Sequence, residues 1–350
     1  MIMANDLVKR IWGCLAGVAV GDALGYPAHD LSADEIRRRF NGPLSHLAPA
    51  FDDDIRHRGM VAGQITDDTI LTLVTAQAVL TADGQPTVTD MAAALRKWAA
   101  TNTIWRDTYM FGPTTKRALA RLLEGEDPWK VGCTGEWASQ GASDGAPMRV
   151  APAGLIHPGR IDAAIETAVE VVLPTHGTQV AIAAACAQAA GIAQALAPKA
   201  EVLSVVAAAL EGARRGEQLG RERARVVPAP CVADRIELAV GLAIHSKDPF
   251  EAGELIQRYI GTYLPAAEAL PTAIGLFVAA KGDPYQAMVA GANVGGDTDT
   301  IASMAGALCG ALRGIDAIPA DWYRTVEEVN HLQLKAVAEQ LAAIAMRLGS

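Results

Sequence analysis

Charge is sparse in this chain. Only 20% of its 350 residues are Asp, Glu, Lys or Arg, against 51% hydrophobic, which excludes a wholly disordered or low-complexity protein. Basic residues are the rarer sign: thirty Lys and Arg face thirty-nine Asp and Glu, leaving a net charge of −9 and a pI near 5.3. That balance lacks the broad cationic footprint a phosphate backbone needs, so nucleic acid is an unlikely partner, although a small local anion site is compatible with it. The five cysteines, Cys14, Cys133, Cys186, Cys231 and Cys309, are scattered, odd in number and without a CxxC pair. This removes the usual signature of zinc or dithiol chemistry and points to a reducing compartment. The amino-terminal stretch MIMANDLVKRIWG carries Asp6, Lys9 and Arg10 and has no apolar core followed by a small-residue cleavage site, so the expectation is a cytoplasmic protein. No membrane span is expected either. The least charged stretch, 180–198, is mostly alanine with Gln179, Gln188 and Gln194 at or beside it, which suits a buried helix better than a lipid-facing one.

Alternating β-branched runs are also scarce, VEVVL at 169–173 being among the few candidate strands, whereas long Ala/Leu/Val/Ile segments recur between short Gly/Pro/Asp breaks. The pattern predicts an all-α protein. In 70–82 the apolar residues point nearly all round the helix, with Gln77 the main interruption, which places that helix inside the molecule. In 301–312, Ile301, Met304, Ala305, Leu308 and Leu312 fall at helical spacing while Gly306 and Gly310 leave a smooth face for another backbone. Residues 322–348 mix Glu327, Glu328, Lys335 and Glu339 among apolar positions, as one amphipathic outer helix would. The irregular region 101–155 combines glycines, prolines, aromatics and polar side chains, the chemistry of loops that line sites. With no linker and no repeat of 20 to 50 residues, residues 1–350 read as one domain, although length alone allows about two.

Two acidic clusters carry the chemistry. Thr66-Asp67-Asp68-Thr69 follows Gly63, and Asp297-Thr298-Asp299-Thr300 follows Gly295-Gly296; each stands where a buried helix begins. Helix capping explains either one alone, because Thr and Asp are preferred N-caps and carboxylates suit the first turn. Together they place several carboxylates at the mouths of apolar helices, a costly arrangement unless a cation compensates. Hard oxygen donors of this kind suit Mg²⁺ or Mn²⁺. On a regular helix residues 297 and 299 point roughly 200° apart, so both reach one site only if Asp297 lies in the pre-helix loop, a geometry that Gly295 and Gly296 permit. Thr300 then adds a neutral oxygen.

Other segments are less decisive. The small-residue run Gly17 to Gly25 has neither Walker nor dinucleotide spacing and no preceding strand, so it reads as a helix-packing face, with Asp22 either a buried hydrogen-bonded acid or a site residue. His176 sits beside Thr175, a candidate cap for the next helix, and reads as a structural histidine. Asp144 lies in the loop Ser143-Asp144-Gly145, which equally forms a turn. No Gly-x-Ser-x-Gly elbow occurs and no cysteine neighbours a histidine, so nucleophilic acyl transfer has little support.

In order and spacing, GVAVGDALGYP at 17–27, ITDDT at 65–69, FGPTTKRAL at 111–119, SDGAPMRVAPAGL at 143–155, THGTQVAIA at 175–183 and GGDTDTIASMAGALCGAL at 295–312 resemble the ADP-ribosylglycohydrolase family over nearly the whole chain. The paired TDDT and GDTDT are the specific elements. The resemblance implies a compact orthogonal all-α bundle with a binuclear Mg²⁺ or Mn²⁺ centre, its ligands being Thr66, Asp67, Asp68, Asp297, Asp299 and Thr300. It implies catalytic roles for Asp67, Asp299 and Asp144. It further implies substrate contacts from Asp144, Gly145, His176, Gly295, Gly296 and the residue at position 29, with Asp144 in the loop that wraps the ribose. The expected substrate is an ADP-ribosylated protein or a small ribosyl ligand.

One position departs from the pattern. Relatives commonly carry a glutamate four residues after GDALG, where this chain has His29 followed by Asp30. A histidine changes metal affinity or proton transfer there, so the expectation is that Asp30, or one of Asp52, Asp53 and Asp54, substitutes, or that the substrate differs. That departure and the aromatic segment 101–112 keep two alternatives open: an N-glycosidase of a small nucleoside-like metabolite, and a non-catalytic binding member.

Overall fold

The computed structural model describes residues 4–349; the first three residues of the amino-terminal stretch, and Ser350, lie outside the described residues. Among them are eighteen α-helices and three short 3₁₀ turns, and no β-strand. The all-α expectation holds. No helix among the described residues is long and apolar enough to cross a membrane. The largest buried cluster draws residues from Leu7 to Ala345.

The centre is an antiparallel helix pair, Ala4–Gly25 against Thr298–Arg313. Glycine at every fourth position of the first helix brings the backbones into contact: a Cβ on Gly17 would stand 2.1 Å from the Gly306 carbonyl oxygen, and one on Gly310 would stand 2.0 Å from that of Gly13. Because i and i+4 share a helix face, the small-residue run works as a packing face, and its last turn ends beside Thr298 and Asp299. Helix Gln179–Ala195 is buried along nearly its whole length. Its two buried glutamines, Gln179 and Gln188, are tolerated because each finds a backbone partner. Gln179 exchanges two hydrogen bonds with Val227, at 2.6 and 2.9 Å, and Gln188 donates to the Met304 carbonyl at 3.0 Å; a buried amide without such partners would be costly.

Three expectations are corrected here. VEVVL belongs to helix Ile161–Val172, where Ala164, Ile165, Ala168, Val169 and Val172 bury one face; the helical period overrides the β-branched composition. The segment 322–348 is two helices, Ala320–Val329 and Leu334–Leu348. The break arises because Asn330 leaves the helical register to donate to the Gly63 carbonyl at 2.8 Å and to accept from Ile65 N–H at 3.1 Å, with His331 at φ 52° reversing the chain. Helix Gln179–Ala195 is capped by Thr178, which accepts from Ala181 N–H at 3.4 Å, and not by Thr175, which faces the histidine next to it.

Candidate active site

Two helix amino termini converge on one point. Helix Asp67–Thr81 begins at the N-cap Thr66, whose hydroxyl accepts from Asp68 N–H. The end is clamped to the central pair by Asp22 on the first helix, which accepts from Thr66 N–H at 3.0 Å, from Thr69 N–H at 3.1 Å and from the Thr69 hydroxyl. Of the two readings of Asp22, the buried hydrogen-bonded acid is the one observed. Burial and the nearby Asp299 push its carboxyl up to about 6 against the pull of these donors.

The second amino terminus is reached through Gly295 and Gly296, at φ 83° and 86°. A Cβ on Gly296 would lie 2.3 Å from the Thr262 carbonyl oxygen, so close approach and left-handed backbone both demand glycine. Asp297 takes the N-cap position of helix Thr298–Arg313 without making a side-chain cap bond. Neither of its buried oxygens has a hydrogen-bond partner, although His29 Nδ1 stands 3.3 Å from Oδ1. Capping therefore does not account for this carboxylate, and Asp297 lies in the pre-helix loop as its spacing from Asp299 requires.

Asp67, Asp68, Asp297, Asp299 and Thr300 meet on the floor of a cleft of about 450 Å³ that Asp144, Gly145 and His29 also line, a volume typical of small-ligand sites. Thr300 donates to Asp68 Oδ2 at 3.3 Å, as does Thr66, tying the two clusters together. Asp68 Oδ1 and Asp144 Oδ2 lack partners as well. Burial, then the neighbouring carboxylates, push Asp67, Asp68 and Asp144 well above the ordinary carboxylate range. Burial also opposes ionisation of Asp297, yet its contacts with His29 and Asp144 hold it below that range. Orphaned, buried, hard oxygens crowded at this density fit divalent cations.

His29 joins the carboxylates in the floor. Its Nδ1 is 2.7 Å from Asp299 Oδ1 and 3.3 Å from Asp297 Oδ1; burial works against its charged form, but the two carboxylates raise its pKa well above the ordinary value. None of the acids expected to substitute enters the cluster. Asp30 turns to Arg56 and Tyr263, Asp53 pairs with Arg39, Asp54 holds His57, and Asp52 is exposed.

Other predicted contacts lie behind the cleft wall. Gly296 N–H is engaged by the Leu31 carbonyl at 3.0 Å, and neither it nor Gly295 lines the cleft. His176 is buried behind the Asp144 loop, its Nε2 3.0 Å from the Ser143 hydroxyl and its Nδ1 2.8 Å from Thr175; a Cβ on Gly145 would lie 2.6 Å from that Nε2. Buried Arg149 donates to Thr175 at 2.7 Å and to the Gly145 carbonyl at 3.1 Å. The Thr175 hydroxyl, which accepts from Arg149, also reaches the Val172 carbonyl at 3.4 Å, so the ring is held between Thr175 and Ser143. His176 thus shapes the loop. The irregular region lines much of the cleft, Trp137 included, as its composition suggested, and the rest of the wall comes from segments with no signal in the sequence, Arg56 and His57, and Leu264 and Pro265. Leu264 reaches the site because its carbonyl accepts from Asp144 N–H at 2.9 Å.

Burial and the charge of Arg149 push the His176 pKa down to about 3, below the ordinary value near 6.5. The unfolded chain therefore binds a proton between those limits that the native state refuses. The stabilisation is complete above pH 6.5 and is lost as pH falls toward 3, at up to about 1.4 kcal/mol per pH unit. Relative to His176→Gln, the wild type is expected to lose stability on acidification through that window, as read by denaturant unfolding at several pH values. A constant difference between the two proteins would show that His176 is protonated in the native state.

The ADP-ribosylglycohydrolase family profile matches residues 3–349. The uncharacterized protein YegU of Escherichia coli (strain K12) is 30% identical over 95% of this chain and 96% of its own length. ADP-ribosylhydrolase ARH3 of Mus musculus is 27% identical over 91% of this chain and 88% of its own length. Among solved structures, an ADP-ribosylglycohydrolase-related protein complex superposes with a TM-score of 0.67 at 23% identity, covering 99% of this chain and 100% of that one, a likeness of fold. With a whole-chain family match laid over an all-α frame that carries two convergent acidic helix ends, this chain belongs to the ADP-ribosylglycohydrolase family and is a hydrolase of glycosidic bonds.

Proposed function

We propose that this protein hydrolyses the bond between the anomeric carbon of an ADP-ribosyl group and its acceptor, an N- or O-glycosidic linkage on a modified protein or a small ribosyl compound, with two divalent cations, Mg²⁺ or Mn²⁺. The observation that carries the reading is the set of unpartnered buried oxygens on Asp68, Asp144 and Asp297 at the floor of the cleft. Asp67, Asp68, Asp297 and Asp299, with Thr66 and Thr300, would hold the cations, which when bound supply Lewis acidity to the ribose hydroxyls and the attacking water.

The chain's own residues supply the rest. Asp67, the most exposed of the floor carboxylates at 8%, takes the proton as water adds to the anomeric carbon and the bond to the acceptor breaks. Asp299, in the first turn of its helix, fixes the charge opposite the developing oxocarbenium ion. Asp144, buried beside Asp297, orients a ribose hydroxyl through its free oxygen. The Asp144 loop is pinned by Leu264 and His176, so these groups are positioned before substrate arrives. The 450 Å³ cleft excludes bulk water once filled. The core from Leu7 to Ala345 supports reading the chain as one domain.

The test is release of ADP-ribose from ADP-ribosyl-arginine and ADP-ribosyl-serine peptides in Mg²⁺, in Mn²⁺ and in EDTA, beside calorimetric titration with ADP-ribose. Metal-dependent binding and release are expected. No release from either peptide, with no binding in any buffer, would move the assignment to a nucleoside-type substrate.

A further inference from the structure

We propose that His29 is itself a ligand of this centre and that its imidazole turns the cation preference of the chain from Mg²⁺ toward a first-row transition ion of the Mn²⁺, Fe²⁺ or Co²⁺ class. The inference rests on the metal-centred reading above. One ligand atom each from His29, Asp297 and Asp299 falls within 4.8 Å of the others, so a single ion can meet a nitrogen and two oxygens. The two oxygens of Asp297 are unpartnered although the residue is 1% exposed. An all-oxygen site suits Mg²⁺, which dehydrates reluctantly; an imidazole nitrogen favours the transition ions.

The ring is fixed by its neighbours, with Nδ1 turned to Asp297 and Asp299. A metal-bound histidine usually turns its second nitrogen to a carboxylate that sets the tautomer and the ring orientation. The Nε2 of His29 has no hydrogen-bond partner, and the nearest acid is Asp30, with Oδ1 at 3.7 Å. That carboxylate is gripped from outside by Arg56 at 2.6 Å and by the Tyr263 hydroxyl. Asp30 also sits in the left-handed region, at φ 64°, with its N–H on the Gly296 carbonyl at 2.9 Å. Uncommon backbone of this kind persists where its surroundings fix it. On the remaining side the ring meets His57 edge-on, centroids 5.5 Å apart, and His57 is anchored by Asp54 at 3.0 Å. A histidine present only for packing has no need of two facing carboxylates, one of them with both oxygens lacking hydrogen-bond partners.

Mn²⁺ is the probe. Pulsed electron paramagnetic resonance of the Mn²⁺-loaded protein is expected to show ¹⁴N hyperfine coupling that disappears in His29→Glu. Competition titrations are expected to show the affinity ratio of Mn²⁺ over Mg²⁺ falling about tenfold or more in the same variant. Asp30→Asn, which removes a carboxylate 3.7 Å from Nε2 and not bonded to it, should keep the nitrogen coupling. Stoichiometric Mn²⁺ without nitrogen coupling, or coupling that survives in His29→Glu, overturns the proposal and leaves the metal centre standing. A protein that binds no Mn²⁺ overturns both.

Discussion

Asp67→Asn is expected to abolish turnover and the thermal response to metal while leaving the metal-free protein at least as stable as the wild type. The two outcomes follow from one feature. Asp67 is buried beside Asp299, Asp22 and Asp297, and burial first, then these charges, push its pKa well above the carboxylate range. An ionised group there is unfavourable unless a cation compensates, and asparagine keeps the shape without the charge. Helix Asp67–Thr81 keeps its cap, because Thr66 and not Asp67 provides it. Turnover should fall about a thousandfold or more, roughly 4 kcal/mol of barrier, if proton acceptance and cation binding fail together. In thermal unfolding, Mn²⁺ at about a hundred times its dissociation constant should stabilise the wild type by about 2.7 kcal/mol and leave the variant unmoved. An Asp67→Asn protein that is active, or that melts well below metal-free wild type, would make Asp67 a structural residue.

The second large effect lies away from the cleft. Gly17→Val should destabilise the protein by about 3 kcal/mol or more, the upper range for overpacking, because the obstacle is backbone and not a side chain that can turn aside. The first atom of the new side chain would lie 2.1 Å from the Gly306 oxygen, so the two central helices must separate. That separation reaches the site through Asp22, which clamps Thr66 and Thr69, and through the end of the pair, where Gly25 packs on Thr298 and Asp299. Metal affinity should therefore fall even in conditions where the variant still folds. Gly241→Ala is the control, since a Cβ at that glycine inside helix Val232–Ile244 meets nothing within 4 Å, and it should stabilise the protein by up to about 1 kcal/mol. Equal melting of Gly17→Val and wild type in denaturant would refute the close-packed account of the central pair.

Much of this was legible because it depends on local pattern. An apolar surface nearly all round residues 70–82, with only Gln77 and Thr81 exposed, marks an internal helix whatever surrounds it. Small residues at every fourth position announce a backbone contact, though not the partner. The placement of Asp297 before its helix followed from 3.6 residues per turn and two glycines. Residues 322–348 misled for the same reason: the apolar period continues through Asn330, and only Gly63 and Ile65, some 265 positions away, stop the helix there. His29 misled differently. A search for a replacement acid nearby is reasonable from chemistry, yet the structure turns Asp30, Asp53 and Asp54 to Arg56, Arg39 and His57 and turns the histidine inward.

By itself the sequence determined the helical class, the buried helices and the two acidic amino termini, since helical periodicity and the preference of Thr and Asp for helix starts act over a few residues. Tertiary structure alone decided that these termini face each other across Asp68 and Thr300, that His29 joins them while His176 and Gly296 stand behind the wall, and that Arg56 and Leu264 complete the cleft. Those outcomes depend on contacts between residues tens to hundreds of positions apart. Such contacts leave no period in the chain, and here they are set by how closely the glycine faces of two helices allow their backbones to approach.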